Sequence, residues 1–158
     1  MLKEIKIFHK TNKRIPLKKE FGSRRIFRTH FGTWNNAIYS AGYKPNQELY
    51  SKRTYAQDNH KCDSFAEQII DDWLSSHGIK HILHKRYPGS KMTADFYIPK
   101  DKVFIEYFGL QGVNKKYDNG MTSKLLFIKK NNFELIDLYP NDINTKKLSD
   151  KLSVLLYK

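Results

Sequence analysis

Apolar residues recur three or four positions apart at the start of the chain, the spacing that buries one stripe of a helix. Leu2, Ile5 and Phe8 predict a first helix over residues 2–11, broken by Thr11-Asn12-Lys13-Arg14. Pro16 can open a second short helix from Leu17 to Phe21, with Gly22 as its stop. Ser23 is placed to cap a third, Arg24 to His30, with Ile26, Phe27 and His30-Phe31 turned inward before Gly32. Thr33 caps a fourth, whose stripe of Trp34, Ala37, Ile38 and Ala41 ends at Gly42.

Periodicity fades over residues 44–62, and residues 46–62 read as a polar linker. It returns at Ser64, where Phe65, Ala66, Ile69, Ile70, Trp73 and Leu74 predict a helix to His77, ended by Gly78. Ser64-Phe65-Ala66-Glu67 fits a capping box, which would occupy the Glu67 carboxylate locally. A strand is expected from Lys80 to Tyr87, a turn at Pro88-Gly89, a helix from Lys116 to Asn131, and a short strand from Phe133 to Tyr139. After Pro140 an amphipathic helix runs from Asn144 to Leu156. This order predicts an α/β fold, a mixed β-sheet flanked by helices, behind a small all-helical module.

Between these elements lie two apolar, β-rich runs, Thr93 to Pro99 and Lys102 to Gly109, joined at Lys100-Asp101. Antiparallel pairing through that turn opposes Ile98 to Val103, Phe96 to Ile105, and Asp95 to Glu106. Directly opposed carboxylates destabilise a sheet unless a cation or a shared proton lies between them. Mg²⁺, which prefers carboxylate oxygens, is the economical solution. The neighbours are apolar on both sides of the pleat, which places the pair inside the sheet and not on an edge. Asp137 is a further acid within a strand, more simply read as surface.

Charge supplies a partner. The chain of 158 residues carries a net charge of +13, and residues 1–60 hold 13 Lys+Arg against 4 Asp+Glu. A polyanion is the expected partner, with the N-terminal third as its anchor. Small helices joined by glycine turns are the arrangement of helix-turn-helix DNA readers. Arg24, Arg25, Arg28, Thr29 and His30 make the third helix the candidate recognition element, unless they are simply a solvated face; Lys52 and Arg53 could follow a phosphate backbone.

The single cysteine, Cys62, excludes an internal disulfide. His77, His81 and His84 lack a completing metal-site pattern, because Gly78 and the run after it interrupt a common helix. No apolar run reaches the ~18 residues of a membrane span. A cytoplasmic protein that engages no membrane is expected.

Two resemblances add to this reading. Phe31-Gly32-Thr33-Trp34-Asn35-Asn36-Ala37, followed by Ala41-Gly42-Tyr43, resembles the homing-endonuclease-associated repeat over residues 1–45, which implies a DNA-binding appendage. Residues 63–158, with Asp95 and Glu106 on adjacent strands, resemble the PD-(D/E)XK nuclease superfamily, in a variant motif of Asp, ten residues, then Glu-Tyr-Phe. The second resemblance implies a restriction-endonuclease-like core that hydrolyses double-stranded DNA with Mg²⁺, Mn²⁺ serving as substitute. It casts Asp95 and Glu106 as metal ligands and Glu67 as the helix carboxylate. Its usual lysine is missing, since Phe108 stands there. Lys124, on a helix able to lean over the sheet, is the preferred replacement ahead of Lys115, Lys116 and Gln111.

The expected activity is thus that of a homing or mobile-element endonuclease, dimeric if it cuts both strands. The alternatives are a repair, restriction or junction-resolving nuclease on the same core, and a non-catalytic DNA-binding protein. A His-Asn-His nuclease is not favoured, because its ββ-metal signature is missing.

Overall fold

The computed structural model describes residues 2–21, 24–46, 54–113 and 115–157, apart from the side chains of Arg24 and Arg25. The chain divides into two compact units, Met1–Gln47 and Glu48–Lys158.

In the first unit, α1 (Leu2–Asn12), a 3-10 turn (Lys18–Glu20), α2 (Arg24–Phe31) and α3 (Trp34–Ser40) surround a small core. Ile5, Phe27, Ala37, Ile38 and Ala41 form its centre, with Phe21, Phe31 and Trp34 packed around them. Trp34 meets Phe27 edge to face at 4.9 Å between ring centres, a favoured aromatic geometry. The α2–α3 turn needs Gly32, whose φ is +71°, a conformation that costs glycine little. Thr33 then caps α3, its hydroxyl accepting from the Asn36 N–H at 3.1 Å. Arg14 grips Glu20 through two hydrogen bonds of 2.7 and 2.6 Å, holding the 3-10 turn against the end of α1. Ile26, expected inside, is 45% exposed. Successive helical residues lie about 100° apart, and Phe27 takes the inward position. The expected stop at Gly22 and cap at Ser23 lie outside the described residues.

In the second unit the expected linker differs from what is found. Residues 47–53, Lys52 and Arg53 among them, lie outside the described residues, but residues 54–62 fold as a hairpin of β1 (Thr54–Tyr55) and β2 (Lys61–Cys62). It is fastened to α4 (Phe65–Ser76) by Thr54 Oγ1 donating to Gln68 at 2.6 Å and the Gln57 N–H donating to Asp72 at 2.7 Å. Its Ala56 and Cys62 are buried.

The main sheet has the order β3-β4-β5-β6, with strands at Ile82–Leu83, Phe96–Ile98, Val103–Tyr107 and Glu134–Leu138. β3, β4 and β5 are antiparallel, and β6 runs parallel to β5. The parallel pair requires a crossover, supplied by α5 (Lys115–Lys130). The register of β4 against β5 is the expected one, Phe96 opposite Ile105 and Ile98 opposite Val103. The strand expected from Lys80 to Tyr87 is regular only at Ile82–Leu83, because His84 adopts a φ of +50°. Looser pairing nevertheless continues beyond it: the Ala94 N–H donates to Lys85 at 2.8 Å and the Tyr87 N–H to Met92 at 3.0 Å.

Alternation along the central strands sends their side chains to two faces. Tyr97 and Phe104 join Tyr87, Ala94 and Ile128 of α5 on one. Phe96, Ile98, Val103 and Ile105, all essentially buried, point to the other. There α4 and α6 (Thr145–Leu152) are tied by the Trp73 indole N–H donating to Ser149 at 2.9 Å. The result is a mixed α/β architecture with a mixed four-stranded sheet. Among the described residues no helix is long and apolar enough to cross a membrane.

Candidate active site

The face of the sheet that carries α5 also carries the two acids. Glu106 belongs to β5 and Asp95 immediately precedes β4, in line with the register that opposes them. Both open onto a cavity of about 570 Å³ that Lys124, Lys116, Tyr117, Met92, Met121 and Phe108 help to line. Met92 reaches it from the turn before β4, and Lys116, Tyr117, Met121 and Lys124 from α5.

Glu106 is 2% exposed. One of its oxygens, Oε1, accepts from Lys124 Nζ at 2.6 Å and from the Tyr87 hydroxyl at 2.8 Å. Burial pushes the Glu106 carboxyl above its ordinary value, against the pull of Lys124. Asp95 Oδ2 accepts from the Tyr107 N–H at 2.6 Å. Loss of solvent, and then the charge of Glu106, push the Asp95 carboxyl up to about 7. The Tyr87 hydroxyl is likewise pushed well above its usual value, by burial first and then by the nearby Glu106 charge. It therefore stays protonated and acts as a donor.

Sequence reasoning did not single out Tyr87, which ends the expected strand and carries no motif. Its role depends on the irregular pairing after His84 that turns it under Glu106. Phe108, standing where a lysine is common in the resembling superfamily, is buried and packs against Tyr139 at 5.7 Å between ring centres. The amine that reaches Glu106 comes instead from α5. Lys116, Lys115 and Gln111 are all exposed, and of the three Lys116 lines the same cavity.

Glu67 lies near enough to Asp95 to feel its charge, which adds to burial in raising the Glu67 carboxyl. Both its oxygens are engaged at the start of α4. Oε1 accepts from the Ser64 hydroxyl at 2.8 Å, and Oε2 from the Asp63 N–H at 2.9 Å. This is a capping arrangement shifted by one amide from the expected box. Asp137 accepts from the Tyr139 hydroxyl at 3.0 Å.

The donor set suits a small hard cation. Two carboxylates sharing a cavity, one discouraged from ionising by burial and by the charge of the other, offer the oxygen ligands that Mg²⁺ takes alongside several waters. A bound cation would favour the ionised form of both.

On the first unit, Arg28, Thr29 and His30 are exposed along α2. The side chains of Arg24 and Arg25, with all of Lys52 and Arg53, lie outside the described residues.

Residues 1–44 match the homing endonuclease associated repeat family. No curated protein and no solved structure gives a significant match. The repeat match relates the N-terminal unit to homing endonucleases and points to DNA as a partner.

Proposed function

We propose that this chain is a Mg²⁺-dependent DNA endonuclease of the homing or mobile-element kind, built from a helical DNA-binding module and a PD-(D/E)XK-type core of restriction-endonuclease-like fold. The observation that carries the reading is the amine of Lys124, 2.6 Å from Glu106, in the cavity that Asp95 and Glu106 share. The resembling superfamily needs an acid pair and an amine together. Here the amine is carried by a helix, while Phe108 fills the customary place with an apolar ring.

Phosphodiester hydrolysis forms a bond from a water oxygen to phosphorus, with loss of a proton from that water, and breaks the bond to the leaving oxygen, which departs with the electron pair and takes up a proton in its turn. Asp95 and Glu106 would hold Mg²⁺, or Mn²⁺ in its place, with Glu67 supporting Asp95 from α4. When bound, the ion supplies positive charge at the scissile phosphate and makes water easier to deprotonate. Tyr87 and Lys124 fix the Glu106 carboxylate by addressing the same oxygen. The Lys124 ammonium also contributes charge next to the phosphate as negative charge develops on it. Met92, Met121 and Phe108 give the cavity apolar walls, which reduces the screening of that charge.

Double-stranded DNA is the proposed substrate. Arg28, Thr29 and His30, with Arg24 and Arg25 on the same helix, would contact it, and Lys52 and Arg53 would follow its backbone. The excess of positive charge in residues 1–60 supports that division of labour. Cleavage of both strands calls for two copies of the core, hence a homodimer on the site.

Incubating the protein with a randomised duplex library and Mg²⁺, then sequencing the ends, tests the reading. A recurrent site cut only with Mg²⁺ or Mn²⁺ supports it. Preferential cutting of branched or mismatched duplexes would favour a repair or junction-resolving role, and retention of DNA with no cutting would favour a binding protein.

A further inference from the structure

A second cluster of ligand-type side chains lies outside the cavity of Asp95 and Glu106. Asp58 and His60 come from the reversal between β1 and β2, Asp71 from the middle of α4, and His81 from the segment just before β3. Their donor atoms all lie within 4.8 Å of one another. His60 Nδ1 is 3.0 Å and His81 Nε2 is 3.1 Å from the same oxygen of Asp71, and the two ring nitrogens are 3.2 Å apart. Asp58 Oδ2 is 3.1 Å from His60 Nδ1 and 4.0 Å from His81 Nε2.

Without a cation, one oxygen of Asp71 has to serve both ring nitrogens. The Nδ1 of His81 faces the Ile79 carbonyl at 2.9 Å, and a carbonyl only accepts, so that nitrogen carries a proton. Against the effect of its burial, the hydrogen bond to Asp71 raises the His81 imidazole above its ordinary value, so without a cation Nε2 also carries a proton and donates to Asp71. The Asp71 side chain is fully buried and that of His81 only 3% exposed, while His60 and Asp58 face solvent in part.

A cation at the centre would take the place of the Nε2 proton. Ligands of a tetrahedral ion at ~2.0–2.1 Å stand roughly 3.3 Å apart, close to the separations of 3.0–3.2 Å among His60, His81 and Asp71 and from His60 to Asp58, while Asp58 is farther from His81, at 4.0 Å. The backbone carbonyl on His81 Nδ1 is the outer contact that commonly fixes the tautomer of a metal-binding histidine. Ser75 Oγ donates to Asp58 Oδ2 at 2.7 Å, a similar support for the second carboxylate. Two imidazoles and two carboxylates suit Zn²⁺, or Co²⁺ as a probe, and not Mg²⁺, which prefers oxygen alone.

We infer that Asp58, His60, Asp71 and His81 form a Zn²⁺ site. It is separate from the pair of Asp95 and Glu106, and it does not depend on the nuclease reading. The ion would clamp the β1–β2 hairpin to α4 and to the chain entering β3. Asp71 stands one helical turn beyond Glu67, so the clamp would also steady the helix that carries Glu67. Its four ligands come from three separated segments, which is why histidine spacing alone did not reveal it.

The test uses the full chain, stripped with a strong chelator and titrated with Zn²⁺ by calorimetry and with Co²⁺ by visible absorption. Wild type should bind one equivalent of Zn²⁺, give the intense bands of four-coordinate Co²⁺, and gain thermal stability. An Asp95→Asn, Glu106→Gln double variant should do the same. His60→Gln, at a partly exposed position where folding is least at risk, and His81→Gln should lose the Co²⁺ bands and the thermal gain. Circular dichroism checks that each remains folded. No stoichiometric Zn²⁺ in the wild type would overturn the assignment. So would binding that survives both histidine variants, or that disappears only with Asp95 and Glu106.

Discussion

Replacing Lys124 with Met removes one ammonium and keeps an unbranched apolar side chain of similar reach. The ammonium is 2.6 Å from Glu106, where two unit charges attract by about 6 kcal/mol at an effective dielectric constant of ~20. Desolvation cancels much of that, and the lysine side chain is still 21% exposed to screening water. The pair's net worth is therefore smaller, roughly 1–3 kcal/mol. Without Lys124 the Glu106 carboxyl, already raised by burial, should rise further. Tyr87 alone would then remain to fix Oε1. Metal-free protein should lose stability by that amount in urea denaturation at pH 8. With Mg²⁺ the DNA cleavage rate should fall about 100- to 1,000-fold, the usual cost of removing one preorganised charge at a reacting centre. The Mg²⁺ concentration for half-maximal rate should not increase, because the competing cation is gone. If Lys124→Met is folded and cuts within about threefold of wild type, the lysine has no part in the chemistry and the reasoning fails.

Three further outcomes follow from named contacts. In chelator-treated protein, Asp95 holds its proton up to about pH 7, well above the unfolded carboxyl, so the folded state binds the extra proton between about pH 4 and 7. Stability should therefore decline as pH rises through that window, and Asp95→Asn should remove much of the decline while abolishing cleavage; a pH series of urea titrations measures it, and an unchanged slope would contradict it. Ser64→Ala removes the cap of α4 and the hydroxyl that donates to Glu67, and should cost about 1–2 kcal/mol in the same assay; no loss would mean the cap carries no weight. Arg28→Ala, exposed on α2, should weaken DNA binding and reduce its salt slope by about one; an unchanged slope in anisotropy titrations would remove α2 from the interface.

Much of the second unit was legible because its signals are local. The run of apolar residues on both sides of Lys100-Asp101 sets the pairing of β4 with β5, and that pairing alone opposes Asp95 to Glu106. Lys124 could be nominated because a crossover helix must lie over one face of the sheet, and the face it covers is the one bearing Glu106. Glu67 was legible in two ways, and its capping bonds coexist with its proximity to Asp95. Other features depend on distant neighbours. Two-residue strands carry no period, so residues 54–62 read as linker although Thr54, Gln57 and Cys62 pack on α4. Ile26 looked like core until Phe27 claimed the contact with Trp34. Asp71 sits on an apolar helix face as an apparent misfit, and only its meeting with His60 and His81 gives that charge a reason.

The most direct test of the nuclease account separates cutting from binding. Asp95→Asn and Glu106→Gln proteins are compared with wild type on the same duplex, by gel cleavage with Mg²⁺ and by binding in Ca²⁺ or chelator. The account predicts that wild type cuts with Mg²⁺, that both variants fail to cut, and that all three bind within a few fold of one another. Cutting by either variant at the wild-type rate, or by wild type in the presence of chelator, would contradict it.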